Sequence, residues 1–152
     1  MKIIYHCCHG GCAASVAAAV HLGMLPESGR PRGQDILSAP YFGHLDRHDL
    51  GFLFPCGQAG GADEVFVAGW SCDASIMVNA AQAAVRLAGA DPGGFVTIDC
   101  SHAYNRCLYL LAHVVRFLCG ARARRRFLAQ TMLRRYPRLV RAAQAGRDRI
   151  SS

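Results

Sequence analysis

Long apolar runs are missing from this sequence. No stretch reaches the ~18 residues that span a bilayer, so a membrane-helix bundle is excluded. Residues 1–11 (MKIIYHCCHGG) also lack the apolar region and small-residue cleavage site of a signal peptide, and the cytoplasm is the expected location. Lysine is nearly absent: Lys2 stands alone against sixteen arginines. No lysine follows the glycine turns, which rules out a nucleotide loop of the G-x-x-x-x-G-K-[ST] kind. No C-x-x-C pair occurs among the eight cysteines. Neighbouring Cys7 and Cys8 on a strand would point to opposite faces, so only two or three of His6, Cys7, Cys8, His9 and Cys12 could converge on zinc or a softer metal, with His102 as a distant partner, and no metal is the expectation. The cysteines fall inside predicted strands and helices, so they are expected as small buried hydrophobes rather than a disulfide framework.

Acidic residues run out halfway. Up to Asp99 there are five basic residues and nine acidic ones. From Cys100 onward twelve arginines face one acid, Asp148. Such asymmetry suits an anionic partner, a nucleic acid or an acidic protein, reached through Arg122, Arg124, Arg125, Arg126, Arg134, Arg135, Arg138 and Arg141. It also suits a solvated arginine-rich helix, or a helix docked on the acidic first part of the chain.

The order of elements is that of an α/β fold. Residues 2–7 form an apolar strand, 9–11 a sharp glycine turn, and 13–25 an alanine-rich helix stopped near Gly23 and Pro26. Residues 36–42 carry Pro40 and read as an edge segment or a helix end. Residues 51–56 and 64–69 read as a hairpin around a glycine turn at 57–63, with Pro55 placing its first strand at an edge. Residues 72–87 predict a helix covering the sheet, 94–99 a core strand, and 103–118 a buried helix capped by Ser101. Gly120 breaks that helix, residues 122–145 make a last one, and 147–152 a frayed tail. The expectation is one domain over 1–152: a three-layer α/β/α sandwich, Rossmann-like, with a mixed sheet, a β-hairpin and an arginine-rich C-terminal helical extension.

Several stretches resemble a known family: Met1-Lys2-Ile3-Ile4-Tyr5-His6-Cys7, Ala17-Ala18-Ala19-Val20-His21-Leu22-Gly23, Leu25-Pro26, Pro40-Tyr41-Phe42, Asp63 through Gly69, and Asn105. They are similar to a bacterial domain-of-unknown-function family, number 3189, of spore-forming Gram-positive bacteria. The resemblance implies the α/β fold, and through the family's distribution a link with sporulation. It implies no activity. Where relatives read Gly-Gly-Thr-His followed by two hydroxyl residues, this chain has His9, Gly10, Gly11, Cys12, Ala13 and Ala14, and Ser15 is the one hydroxyl left in the turn.

Three strand ends carry polar groups that would meet in one crevice if the strands are parallel neighbours. The first offers His6, His9, Gly10, Gly11, Cys12 and Ser15. The second offers Trp70, Ser71, Cys72 and Asp73. The third offers Asp99, Ser101, His102 and Asn105. A strand–Gly–Gly–helix turn presents free N–H groups and a helix dipole to an anion, so a phosphate-containing small molecule or nucleotide is the expected ligand. Residues 8–15 also resemble the cysteine phosphate loops of low-molecular-weight phosphatases and sugar-transport phosphocarriers. In that alternative Cys8 is the nucleophile of a phosphoryl-transfer or hydrolytic enzyme, with Asp99 and His102 as acid–base helpers. Ala14 stands where such a phosphatase needs arginine. The good capping chemistry of Ser71, Asp73 and Ser101 gives each an ordinary structural role as well.

Overall fold

The computed structural model describes residues 1–8, 10–61, 63–71, 73–103 and 106–151. The elements are β1 Lys2–Cys8, α1 Cys12–His21, α2 Gly33–Leu37, β2 Leu53–Ala59, β3 Asp63–Trp70, α3 Ala74–Leu87, β4 Phe95–Asp99 and α4 Arg106–Ser151. The strands form one mixed sheet in the order β2-β3-β1-β4. β1 pairs in parallel with β3 and β4, and β2 runs antiparallel to β3 as the hairpin partner. Pro55 does lie in an edge strand. A register irregularity between Pro55 and Gly57 lets β2 continue to Ala59, so the hairpin turn is shorter than its glycines suggest.

Side chains alternate across β1. Ile3, Tyr5 and Cys7 enter the main core with α1, whereas Ile4 joins a second cluster with Ala68 and Trp70 on the other face. Every residue of α1 is buried. A helix apolar all round belongs between two layers, and here α1 lies between the sheet and α4. Its run of alanines lets both neighbours come close. The helix ends where Gly23 takes φ 72°, with Met24 N–H bonded to the Ala19 carbonyl at 2.9 Å and Gly23 N–H to Val20 at 3.1 Å. That paired closure is a Schellman motif.

The apolar segment at 36–42 resolves as the end of the short helix α2, with Phe42 buried behind it. α3, the helix expected over the sheet, touches the second cluster through Ala74 and Met77, although none of its own residues is buried. Two other expectations need correction. β4 is an edge strand rather than a central one, because the chain crosses β1 before entering it. Residues 103–118 are expected as a buried helix, but from Arg106 on the described part of this stretch turns Leu110, Leu111, Val114, Phe117 and Leu118 to solvent. The break at Gly120 is present (φ 85°, ψ 177°), and α4 resumes beyond it as the helix that buries Leu128, Met132, Tyr136 and Leu139. The final turns do not fray at 147. The Arg147 guanidinium pairs with Glu27 and donates to the Val20 and His21 carbonyls at 2.9 and 3.2 Å, placing a cation at the negative end of α1. The result is a mixed α/β protein with a four-stranded sheet and a long C-terminal helix. Among the described residues no helix is long and apolar enough to cross a membrane.

Candidate functional site

The glycine turn after β1 is packed shut. Gly10 and Gly11 are buried, with φ of 96° and 72°. Their backbone nitrogens lie 3.4 and 3.3 Å from the position a Cβ would take on Gly69 of β3, so glycine on both sides permits the approach. A Cβ on Gly11 would stand 2.7 Å from Leu45 Cδ1. Leu45 is itself buried and roofs the turn. Cys12 and Ser15, behind it, are core residues, and the Ser15 hydroxyl has no hydrogen-bond partner among the described residues. Burial raises the Cys12 thiol above its ordinary pKa. His9, Cys72 and Asn105 lie outside the described residues.

The polar groups of β1 and β4 do come together, on the face opposite α1. Parallel register sets His6 directly beside Asp99. The His6 ring is 2% exposed and lies against Trp70, with ring centres 5.1 Å apart. Its Nδ1 is 3.7 Å from Asp99 Oδ1, beyond hydrogen-bond range, and is without a partner among the described residues. Burial lowers the His6 pKa, and the Asp99 charge opposes that only in part, so the imidazole is neutral at pH 7. Asp99 Oδ1 accepts from Ser101 N–H at 2.8 Å, and Ser101 Oγ accepts from Cys8 N–H at 3.2 Å. Cys100 N–H donates to the His6 carbonyl at 2.7 Å. These bonds lace the carboxyl ends of β1 and β4 together. Half-buried Cys8 follows His6 by two residues and stands in register with Trp70.

His6, Asp99 and exposed His102 line one side of a cleft of about 780 Å³. Ser75 and Asn79 of α3 form the second side, and Arg138, Arg141 and Arg149 of α4 the third. Val78, Ile98 and Ala142 supply apolar wall. Two of the arginines are held by backbone: Arg149 Nη1 donates to the Thr97 carbonyl at 3.1 Å, closing part of the free edge of β4, and Arg138 Nη1 reaches the His102 carbonyl at 3.5 Å. Among the described residues no carboxylate pairs with Arg138, Arg141 or Arg149. Asp73 caps α3, its Oδ1 accepting from Ser75 N–H at 2.9 Å and from Ser75 Oγ at 2.8 Å. Those bonds hold its carboxyl below the usual pKa. Ser71 is exposed, and neither it nor Asp73 lines the cleft. Nor does Cys8, so the structure gathers Asp99 and His102 with His6 and the arginines, not with the thiol.

Ser75, Asn79 and the three arginines were not singled out by sequence as members of this site. Arg138, Arg141, Ala145 and Arg149 follow one another at helical spacing, but that face becomes visible only once the buried face through Leu128, Met132, Tyr136 and Leu139 is known. Among the described residues no three His, Cys, Asp or Glu side chains are grouped to hold a metal.

The fold and cleft define a small mixed α/β protein with a cation-lined groove at the edge of its sheet. Residues 2–148 match the family model described as "Protein of unknown function (DUF3189)", and the chain belongs to that family. No curated protein and no solved structure matches it.

Proposed function

We propose that this protein binds a phosphate-containing small molecule, a mononucleotide or sugar phosphate, in the cleft between β4, α3 and the second part of α4. The carrying observation is the meeting of three arginines with a buried imidazole nitrogen, the arginines lacking carboxylate partners and the nitrogen lacking a hydrogen-bond partner among the described residues. Guanidinium groups recognise phosphate oxygens through paired N–H donors, and the His6 imidazole lines the same cleft. The volume falls within the 300–1,000 Å³ usual for ligand pockets. Its apolar wall suits the carbon portion of such a ligand.

Binding is preferred to phosphoryl transfer through Cys8, which stands outside the cleft lining. A nucleic-acid reading of the arginine helix is less favoured, because several of its arginines are engaged within the chain. Arg116 pairs with Asp46, Arg125 bonds the Leu37 carbonyl, Arg147 pairs with Glu27, and Arg124 is buried.

The test is thermal melting against inorganic phosphate, pyrophosphate, mononucleotides and sugar phosphates. A ligand at 100 times its Kd adds about 2.7 kcal/mol, a shift of several degrees for a chain of this size. A selective shift that Arg141→Ala and Arg138→Ala each abolish supports the reading. A flat response across the panel, or a shift indifferent to both substitutions, overturns it.

A further inference from the structure

The first part of α4 is an apolar arm whose outer side has no cover among the described residues. Ala112 is buried and anchors its inner side. Its outer side presents Leu110 (64% exposed), Phe117 (90%) and Leu118 (72%), with Leu111 and Val114 about half exposed between them. Between Cys107 and Cys119 the only formal charge is Arg116. That guanidinium is neutralised by Asp46 at 3.2 Å. Single exposed apolar residues are ordinary, but five on one helix face form the contiguous kind of patch that marks an interaction surface.

The spacing of the stripe is symmetric. Leu110 and Leu111 precede Val114 by four and three residues, and Phe117 and Leu118 follow it by three and four. Two such helices laid antiparallel about a two-fold axis at Val114 place Val114 on its own copy, Leu111 against Phe117, and Leu110 against Leu118. That self-complementarity is what an isologous interface requires. From the exposed fractions, and about 150–200 Å² for a whole large side chain, each copy offers roughly 500 Å² of apolar surface. Two copies together reach the roughly 1,000 Å² that a specific interface must clear.

We propose that this protein forms a two-fold symmetric homodimer through residues 110–118 of α4. A lipid surface is the competing occupant, but between Cys107 and Cys119 the one cation, Arg116, is neutralised by Asp46, and the arginines that follow lie beyond the break at Gly120.

Sedimentation equilibrium on the full chain tests this. The wild type is expected at twice the 16.4 kDa chain mass. Phe117→Lys and Leu118→Glu, both at solvent-facing positions, are each expected to raise the dimer Kd by roughly 100-fold or more, the effect of removing a central anchor, with the circular dichroism unchanged. In a Cys107→Ser, Cys119→Ser background, Val114→Cys is expected to cross-link to itself under diamide. A chain that sediments at monomer mass throughout overturns the proposal. So does a dimer that survives both charged variants. A monomer that floats with phosphatidylglycerol vesicles, and loses this in the same variants, assigns the stripe to lipid and overturns it too.

Discussion

Gly146 sits inside α4, where glycine is a poor choice on propensity alone. Replacing it by alanine in an open helix position would stabilise the protein by about 0.8–1.0 kcal/mol. Here the opposite sign is expected. A Cβ on Gly146 would fall well inside van der Waals contact of the Tyr5 hydroxyl and 3.1 Å from Tyr5 Cζ. Tyr5 cannot swing away: its ring is fully buried, and its hydroxyl lies 2.7 Å from His21 Nδ1 and donates to the Ala143 carbonyl at 3.3 Å. Overpacking of this kind costs about 1–3 kcal/mol, and each hydrogen bond lost in the adjustment about 1 kcal/mol. After the propensity gain, Gly146→Ala should destabilise by about 1–3 kcal/mol, a fall in Tm of roughly 3–10 °C. Urea unfolding of four proteins measures it: wild type, Gly146→Ala, Tyr5→Phe and the double variant. Removing the hydroxyl removes the closest contact, so the double variant should be more stable than the sum of the single losses predicts. Gly94→Ala, where a Cβ meets nothing within 4 Å, serves as the control and should be near neutral. A Gly146→Ala protein as stable as wild type, or strict additivity with Tyr5→Phe, would refute the packing of α4 on β1.

Two further outcomes follow from buried titratable groups. His6 and His21 both have pKa values lowered chiefly by burial, with Arg147 adding to the effect at His21. Their unfolded forms take up protons near pH 6.5 while the folded forms resist, so stability is full above that pH and falls as pH drops toward each folded value. The urea midpoint should decrease between pH 7.5 and 5.5, and His21→Asn should flatten the decline; a midpoint that rises on acidification contradicts both burials. Thiol labelling gives the second check. Cys107 and Cys119 are exposed and should react first in the native protein. Burial pushes the Cys7 thiol up to about 12 and raises Cys12 and Cys100, so these should label only after denaturation, and early labelling of Cys100 would place β4 wrongly.

The sequence was most legible where local chemistry and tertiary role agree. The strand, glycine turn and alanine helix at the start, the hairpin with edge Pro55, and the break at Gly120 all appear as read. Apolar content misled at residues 94–99 and 103–118. Periodicity reports that a face is apolar but not which element, or which molecule, covers it. β4 is placed at the edge by the crossover order, which no local signal carries. The glycine turn shows the same limit. Two glycines before a helix fit an anion site and a close backbone approach equally well, and only Leu45 and Gly69, distant in sequence, distinguish them. Asp99, His102 and His6 were legible as strand-end groups under the rule for open sheets. Their arginine companions were not, because the side of α4 that returns to β4 depends on how the helix packs after Gly120.

The most direct test of ligand binding in the arginine-lined cleft is ¹H–¹⁵N chemical-shift mapping with the phosphorylated ligand that gives the largest melting shift. Perturbations are expected to concentrate at His6, Thr97, Asp99, Ser75 and the Arg138, Arg141 and Arg149 side chains, with Gly10, Gly11 and Ser15 undisturbed. Perturbations centred on residues 10–15 instead, with the arginine signals unmoved, would return the site to the glycine turn and contradict the cleft.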